Sequence, residues 1–305
     1  MTSEVARADS EVDLSQAHRF AVAAAEAAGQ LLHQDSLGEL TVQQKGLNGD
    51  VVTDLDLAAE QLIVGRIRNR FPTHCVVAEE GSGHRRVNTP WTWLVDPLDG
   101  TNNLAIGLPA YVVGIALCKY GRPVVGVVHD PITGHTWSAI RDQGALVRGG
   151  PGGPAERPLR PVRRPVPAAP VLGWTQGHDV RRDDSIARAL KVVLDSTARR
   201  VLQLWAPLLC WVMLARGDID GIIGYRPEAV DLPAGLLIAT EAGISVRSLD
   251  GVGFDDRFGR SSAQRSFVAG PPETIDRLVR LVTAAKWLAP DLHRLTLVDL
   301  ASPRW

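Results

Sequence analysis

The sequence has little that would fasten it to a membrane, a polyanion or an oxidising compartment. It holds three cysteines, Cys75, Cys118 and Cys210, scattered in apolar surroundings without a CxxC spacing. An odd, dispersed set argues against a disulfide framework or a thiolate zinc site and reads as core thiols of a reducing compartment. No stretch reaches the roughly 18 unbroken apolar residues of a membrane span. The opening MTSEVARADSEVDLS is acidic and lacks the apolar core of a leader. Net charge is −1 with acids and bases interspersed, so neither a nucleic-acid nor a membrane partner is expected and a cytoplasmic address follows. The one basic run, Arg157–Arg164, is broken by prolines and reads as a solvated face.

With 305 residues, 45% of them hydrophobic and 22% charged, the chain can bury a large core or two stacked sub-domains. Apolar positions Leu14, Ala17, Ala21, Ala24, Ala28 and Leu31 recur at helical spacing behind Asp13 and Ser15 caps and predict a long first helix. A short strand is expected near Leu40–Gln44. A second helix opens at Thr53, turns Leu57, Ile63 and Ile67 to one face, and ends before Phe71-Pro72. Cys75–Ala78 and Trp91–Val95 read as buried strands. Tyr111–Lys119, Val124–His129 and Thr136–Arg141, separated by Gly and Pro turns, read as an antiparallel meander.

Gly149–Pro170 is too rich in Gly and Pro for regular structure and marks a loop or sub-domain border. Beyond it strands Val171–Trp174, Val201–Leu204, Ile219–Ile223, Ile244–Arg247 and Phe267–Ala269 alternate with helices near Asp184–Leu194, Leu208–Leu214, Leu232–Ala242 and Glu273–Leu288. The fold class is therefore a layered α/β (α+β) sandwich. An N-terminal part, residues 1–150, with helices and an antiparallel sheet stacks on a C-terminal part, residues 151–305, with a mixed sheet and helices.

Four acidic clusters stand at the ends of these elements: Thr53-Asp-Leu-Asp56, Glu79-Glu80-Gly81, Asp96-Pro-Leu-Asp99-Gly100-Thr101, and Val230-Asp231. Acids at element ends are presented by a scaffold, whereas solvating acids lie along exposed helix faces. A buried strand delivers Asp96, Pro97 forces an extended turn, and Asp99 follows closely enough for both carboxylates to face one point. Carboxylates so close repel unless a cation lies between them. Gly100 admits a ligand close to the backbone, and Thr101-Asn102-Asn103 can open a helical turn that cradles a phosphate. Oxygen donors without a His or Cys cluster favour magnesium or manganese over zinc. Glu79 and Asp231 would complete the coordination of two ions about 3.5–4 Å apart, and Thr101 with Asp56 is suited to orient and deprotonate a water. Each cluster also has a bland reading: Thr53-x-x-Asp56 as a capping box, Asp231 before Pro233 as a helix start, Glu79-Glu80-Gly81 as a solvated turn.

From Lys45 to Gly243 the sequence resembles the inositol monophosphatase-like magnesium phosphatases, a group that includes fructose-1,6-bisphosphatases, histidinol-phosphate phosphatases and 3′-phosphoadenosine phosphatases. The resemblance rests on Lys45…Asp50-Val-Val-Thr53-Asp-Leu-Asp56, Phe71-Pro-Thr-His74…Glu79-Glu80, Trp93-Leu-Val-Asp96-Pro-Leu-Asp99-Gly-Thr-Asn-Asn103…Pro109, and Val230-Asp231…Glu241-Ala-Gly243. It implies that Glu79, Asp96, Asp99, Asp231 and the Leu98 carbonyl hold two or three magnesium ions. It also implies that Gly100, Thr101 and Asp99 meet the phosphate, and that Thr101 and Asp56 activate water for in-line attack. Glu80 joins that catalytic group; Lys45, Asp218 and Asp220 join the substrate contacts. Lithium inhibition, a homodimer and a small phosphorylated metabolite as substrate are further implications. Inositol phosphate is the family default, with histidinol phosphate, a 3′-nucleotide, fructose bisphosphate or a specialised-metabolite phosphate as alternatives, and a catalytically silent binding relative as the non-enzyme reading.

The sequence departs from the family pattern at Val230 and Leu104, both packing positions. It departs more consequentially at Val201-Leu-Gln203-Leu-Trp205-Ala-Pro207, where relatives carry small residues, and at Gly224, where inositol-specific members place a sugar-binding acid. Trp174, Trp205 and Tyr225 could stack on a ring or belong to the core. The loops at Trp174–Gly177 and Gly217–Tyr225 are the expected contacts of the leaving group.

Overall fold

Helix α1 (Leu14–Asp35) begins where the Asp13 carboxylate accepts the Ser15 and Gln16 amides at 2.9 and 3.2 Å, a cap that satisfies two donors the helix leaves open. The computed structural model describes residues 12–35, 40–45, 50–83, 89–149, 155–162 and 165–294. The buried stripe of α1 is nearly all alanine: Ala17, Ala21, Ala24, Ala25 and Ala28, closed by Leu32. Side chains this small let the helix lie close on a sheet. Helix α2 (Asp54–Arg70) packs beside α1 on the same sheet.

That sheet runs β3 (Cys75–Ala78), β4 (Trp91–Asp99), β5 (Val112–Lys119), β6 (Arg122–Asp130), β7 (His135–Ile140), β8 (Ala145–Arg148) and β9 (Arg157–Pro158) in spatial order; β3 and β4 are parallel and the rest antiparallel. A separate hairpin pairs β1 (Val42–Lys45) with β2 (Asp50–Thr53). In β5, Val113, Ile115 and Leu117 meet the α1/α2 layer while Val112, Ala116 and Cys118 meet the opposite layer. Burial on both faces is why this strand reads as a continuous apolar run.

The second sheet has the order β11 (Arg200–Leu202), β10 (Val171–Gln176), β12 (Gly221–Tyr225), β14 (Phe267–Gly270), β13 (Ser245–Ser248); β10 is parallel to both β11 and β12. Helices α5 (Pro207–Arg216) and α6 (Pro233–Glu241) fill the space between the two sheets, and α4 (Ser185–Thr197) with α7 (Ile275–Arg294) covers the outer face. The result is a five-layer α-β-α-β-α stack. Residues Pro233 to Ala239 of α6 are all buried, and its backbone approaches β6 where Gly126 has no side chain: a Cβ there would stand 2.7 Å from the Ala234 carbonyl. This close approach fixes α6, and with it Asp231 just ahead of the helix.

Several expectations change. Leu57 faces solvent, because the α2 face turned inward carries Leu55, Asp56, Ala59, Glu60, Ile63 and Ile67. Strands β2 and β8 form where none was expected, and β9 lies within the Gly149–Pro170 stretch. β12 starts at Gly221, two residues beyond the predicted start. The border placed at residue 150 lies outside the described residues, as do Arg163 and Arg164; Arg157 and Arg160 are exposed. All three cysteines are buried, and none forms a disulfide among the described residues.

Burial pushes the imidazoles of His74 and His129 down to about 4, so both fold in the neutral form. Folded values below the ordinary 6.5 mean that the stability they contribute is complete above about pH 6.5 and is lost as pH falls toward 4. Replacing His129, whose Nδ1 lies 2.9 Å from Thr136 Oγ1, removes its share of that loss. In urea titrations, the wild-type midpoint is expected to fall further between pH 7 and pH 4.5 than that of His129→Phe; parallel curves would show that His129 is not held neutral.

Candidate active site

Two strand features bring the acids together. Because β3 and β4 are parallel with Ala78 opposite Val95, the next residues, Glu79 and Asp96, emerge side by side at the same end. Asp96 and Asp99 are three apart, a spacing that points opposite ways in a regular strand. The β4–β5 register shifts between them: Asp96 pairs with Gly114 and Asp99 with Val112, three steps against two. One extra residue in β4 makes a bulge that turns both carboxylates to one side. The extended turn expected at Pro97 is thus replaced by a bulge inside β4.

Gly100 follows with φ of 109°, and a Cβ there would lie 2.8 Å from the Ala110 carbonyl; only glycine fits. It starts the short helix α3 (Thr101–Ala105). Thr101 Oγ1 is 2.7 Å from Asp56 Oδ1 and 3.0 Å from the Leu98 carbonyl. Asp56 Oδ2 accepts the Thr53 amide at 2.8 Å and the Thr53 hydroxyl, completing a capping box on α2. The structural and functional readings of Thr53-x-x-Asp56 therefore hold together, one carboxylate oxygen serving each. Burial raises the Asp56 carboxyl above its ordinary range against the lowering effect of these hydrogen bonds.

Glu79, Asp96, Leu98, Asp99, Gly100, Thr101 and Asp231 line one cleft of about 340 Å³. Burial, then the Glu79, Asp99 and Asp231 charges, hold Asp96 well above the usual carboxylate range; burial and Asp231 do the same to Asp99. Asp231 is pushed up to about 8 by burial and by Glu79 and Glu228. Among the described residues no Lys or Arg lies within ion-pair distance of Asp96, Asp99 or Asp231, and no group of three or more Asp, Glu, His or Cys closes into a ready metal cage. The carboxylates instead line the walls of an open cleft. Such a hard-oxygen set suits a magnesium ion, which takes few protein carboxylates and keeps places for water and phosphate oxygens.

The surroundings hold these groups in place through residues that sequence reasoning did not single out. Buried Glu60, one turn beyond Asp56 on α2, accepts the Glu80 and Ser82 amides at 2.6 and 2.7 Å and braces the Glu79 turn. Asp99 Oδ2 accepts the Leu208 and Leu209 amides at 2.8 and 3.2 Å, the first turn of α5. The i, i+4 spacing of Asp56 and Glu60, and Pro207 opening a helix, are the signals that were available. Asp50 and His178, 3.8 Å apart, also line the cleft.

Other assignments fall elsewhere. Lys45 Nζ pairs with Glu79 and Glu80 at 3.1 and 2.9 Å, outside the cleft lining, and Glu80 faces Lys45 with its carboxyl pushed up to about 7 by burial. Asp218 and Asp220 are not brought to the site. Asp218 pairs with Arg216 at 3.1 Å, and Asp220 accepts the Val171 amide at 2.7 Å. Both stand at the N-terminal ends of β12 and β10, whereas the cleft lies beyond the C-terminal ends of those parallel strands. For the same reason Trp174–Gly177 lines the cleft and Gly217–Tyr225 does not. At Gly224 a Cβ would meet the Phe267 ring at 2.2 Å, so no acid fits there.

Comparison with known proteins agrees with this fold. A profile of the inositol monophosphatase family matches residues 13–286. The Nus factor SuhB of Pasteurella multocida is 32% identical over 238 residues, covering 76% of this chain and 85% of that protein. Inositol monophosphatase 1 of Solanum lycopersicum is 31% identical over 241 residues, covering 77% and 85%. The solved structure of an inositol monophosphatase from Thermotoga maritima superposes with a TM-score of 0.74 at 25% identity, covering 90% of this chain and 99% of that one.

Mutual repulsion among the cleft carboxylates costs stability whenever no cation is present. At pH 8 in chelator, Asp96→Asn is therefore expected to raise the urea-unfolding stability by about 1 kcal/mol, and a decrease would show that these charges are not in conflict.

Proposed function

This chain belongs to the inositol monophosphatase family, and from that premise we propose that it is a magnesium-dependent phosphomonoesterase of a small phosphorylated metabolite. The observation that carries the reading is the 2.7 Å contact from Thr101 Oγ1 to buried Asp56, set behind the carboxylates of the cleft. Glu79, Asp96, Asp99, Asp231 and the Leu98 carbonyl would hold the metal. When bound, magnesium supplies positive charge to the phosphoryl oxygens and makes a water more acidic. Thr101 orients that water through its hydroxyl and relays a proton toward Asp56, which burial makes a more willing acceptor than an exposed carboxylate. The backbone at Gly100–Asn102 would hold the phosphate so that the water attacks in line and the alkoxide leaves on the opposite side, toward Trp174–Gly177.

A second reading, a catalytically silent relative that binds a metabolite or a partner, draws on relatives named Nus factor SuhB. The Thr101–Asp56 pair favours hydrolysis, since binding alone needs no water activator. Phosphate release from inositol, histidinol, fructose, glycerol and 3′-nucleotide phosphates separates the readings. With magnesium, turnover of at least one ester is expected, abolished by chelator, inhibited by lithium, and reduced about 10²–10⁴-fold in kcat by Thr101→Ala or Asp56→Asn. Turnover indifferent to chelator or to both substitutions would contradict the mechanism.

A further inference from the structure

Trp205 stands at the mouth of the cleft with 53% of its surface exposed, while Trp174 and Tyr225 are buried at 1% and 3%. Of the three aromatic residues considered for stacking, Trp205 alone offers a face. Tryptophan is among the most buried side chains on average, so a half-bare indole in the wall of a ligand cleft points to a ligand. It makes no ring or cation–π contact with any described residue. Its position is fixed: it lies between β11 and Pro207, three residues ahead of the Leu208 amide that binds Asp99. The indole is thereby tied to the phosphate corner through α5.

The adjoining wall comes from the segment after β10, the strand next to β11. That segment is pinned to the end of β12: the Gly177 amide donates to the Tyr225 carbonyl at 3.2 Å, the His178 amide to Glu228 at 3.2 Å, and the Tyr225 hydroxyl to Asp184 at 3.2 Å. It carries two arginines into the cleft lining. Arg181 is engaged by Asp183 through two bonds of 2.8 and 2.7 Å. Arg182 has no hydrogen bond or ion pair with any described residue, and the neighbouring Gln203 side chain is exposed in the same lining. The rim thus offers one aromatic face, the Arg182 guanidinium and the Gln203 amide. Its acid, Asp50, is occupied by His178 and by the Asn102 amide at 3.4 Å.

We propose that Trp205 and Arg182 select phosphate esters whose leaving group carries a flat heteroaromatic ring with acceptor atoms on its edge, a nucleoside being the matching class. The inference deepens the phosphatase reading and rests on it. The ring stacks on Trp205, its acceptors meet Arg182 and Gln203, and its ester phosphate reaches Gly100 and Thr101. A polyol has no π-face for the indole.

The test is calorimetric binding of adenosine 3′-phosphate and inositol 1-phosphate with magnesium, in the Asp56→Asn background so that hydrolysis of either ester is slow on the timescale of the titration. The nucleotide is expected to bind at least about tenfold more tightly. Adding Trp205→Ala should erase that preference, and Trp205→Phe, which keeps a ring, should retain most of it. Because Trp205 is half exposed, both variants are expected to fold. Equal or tighter binding of inositol 1-phosphate, or a preference untouched by Trp205→Ala, would overturn the proposal. Wild-type hydrolysis then separates the two claims. Nucleotide preference without turnover of any ester would sink the phosphatase reading and leave this one standing, whereas turnover with no ring preference would do the reverse.

Discussion

The structure is arranged around one electrostatic conflict: four carboxylates, Glu79, Asp96, Asp99 and Asp231, facing a single cleft with burial raising three of them. Left to themselves, such groups would separate or stay protonated. They are held by several local features. The β4 bulge, Gly100 in its left-handed conformation, Glu60 under the Glu79 turn and the α5 amides on Asp99 all oppose the relaxation that repulsion would favour. The result is a set of hard oxygen donors presented in advance.

The layered fold explains how distant segments meet. Asp96 and Asp99 come from the large sheet, Asp56 from α2 on its outer face, and Asp231 from the approach to α6 between the sheets. The close contact of Gly126 with Ala234 sets the spacing of α6, so a glycine in mid-strand bears on where Asp231 stands. The substrate side is built separately, from segments that leave β10 and β11. Residues on the proposed metal side and on the proposed leaving-group side can therefore differ independently.

Much of this was legible in the sequence because it is local. Asp96-Pro-Leu-Asp99-Gly-Thr signals two neighbouring carboxylates and a close backbone turn at Gly100 within six residues, and the strand Cys75–Ala78 was bounded correctly by its apolar run. What was not legible depends on pairing. The bulge needs the β5 register, and the role of Glu60 needs the β3 turn packed on α2. Asp218 and Asp220 were misplaced because closeness in sequence to Tyr225 does not reveal that a parallel strand separates them from the cleft by its whole length. Leu57 was misassigned because helical periodicity was counted over apolar residues alone, while the inward face of α2 carries Asp56 and Glu60.

Thermal unfolding against magnesium concentration tests, without any substrate, whether the carboxylate cleft is a divalent-cation site. A ligand that binds the folded state alone raises the midpoint with its concentration. The midpoint is expected to climb steadily with magnesium in the wild type and to stay flat in Asp231→Asn. A wild-type midpoint that magnesium does not move, or a variant that responds as the wild type does, would contradict it.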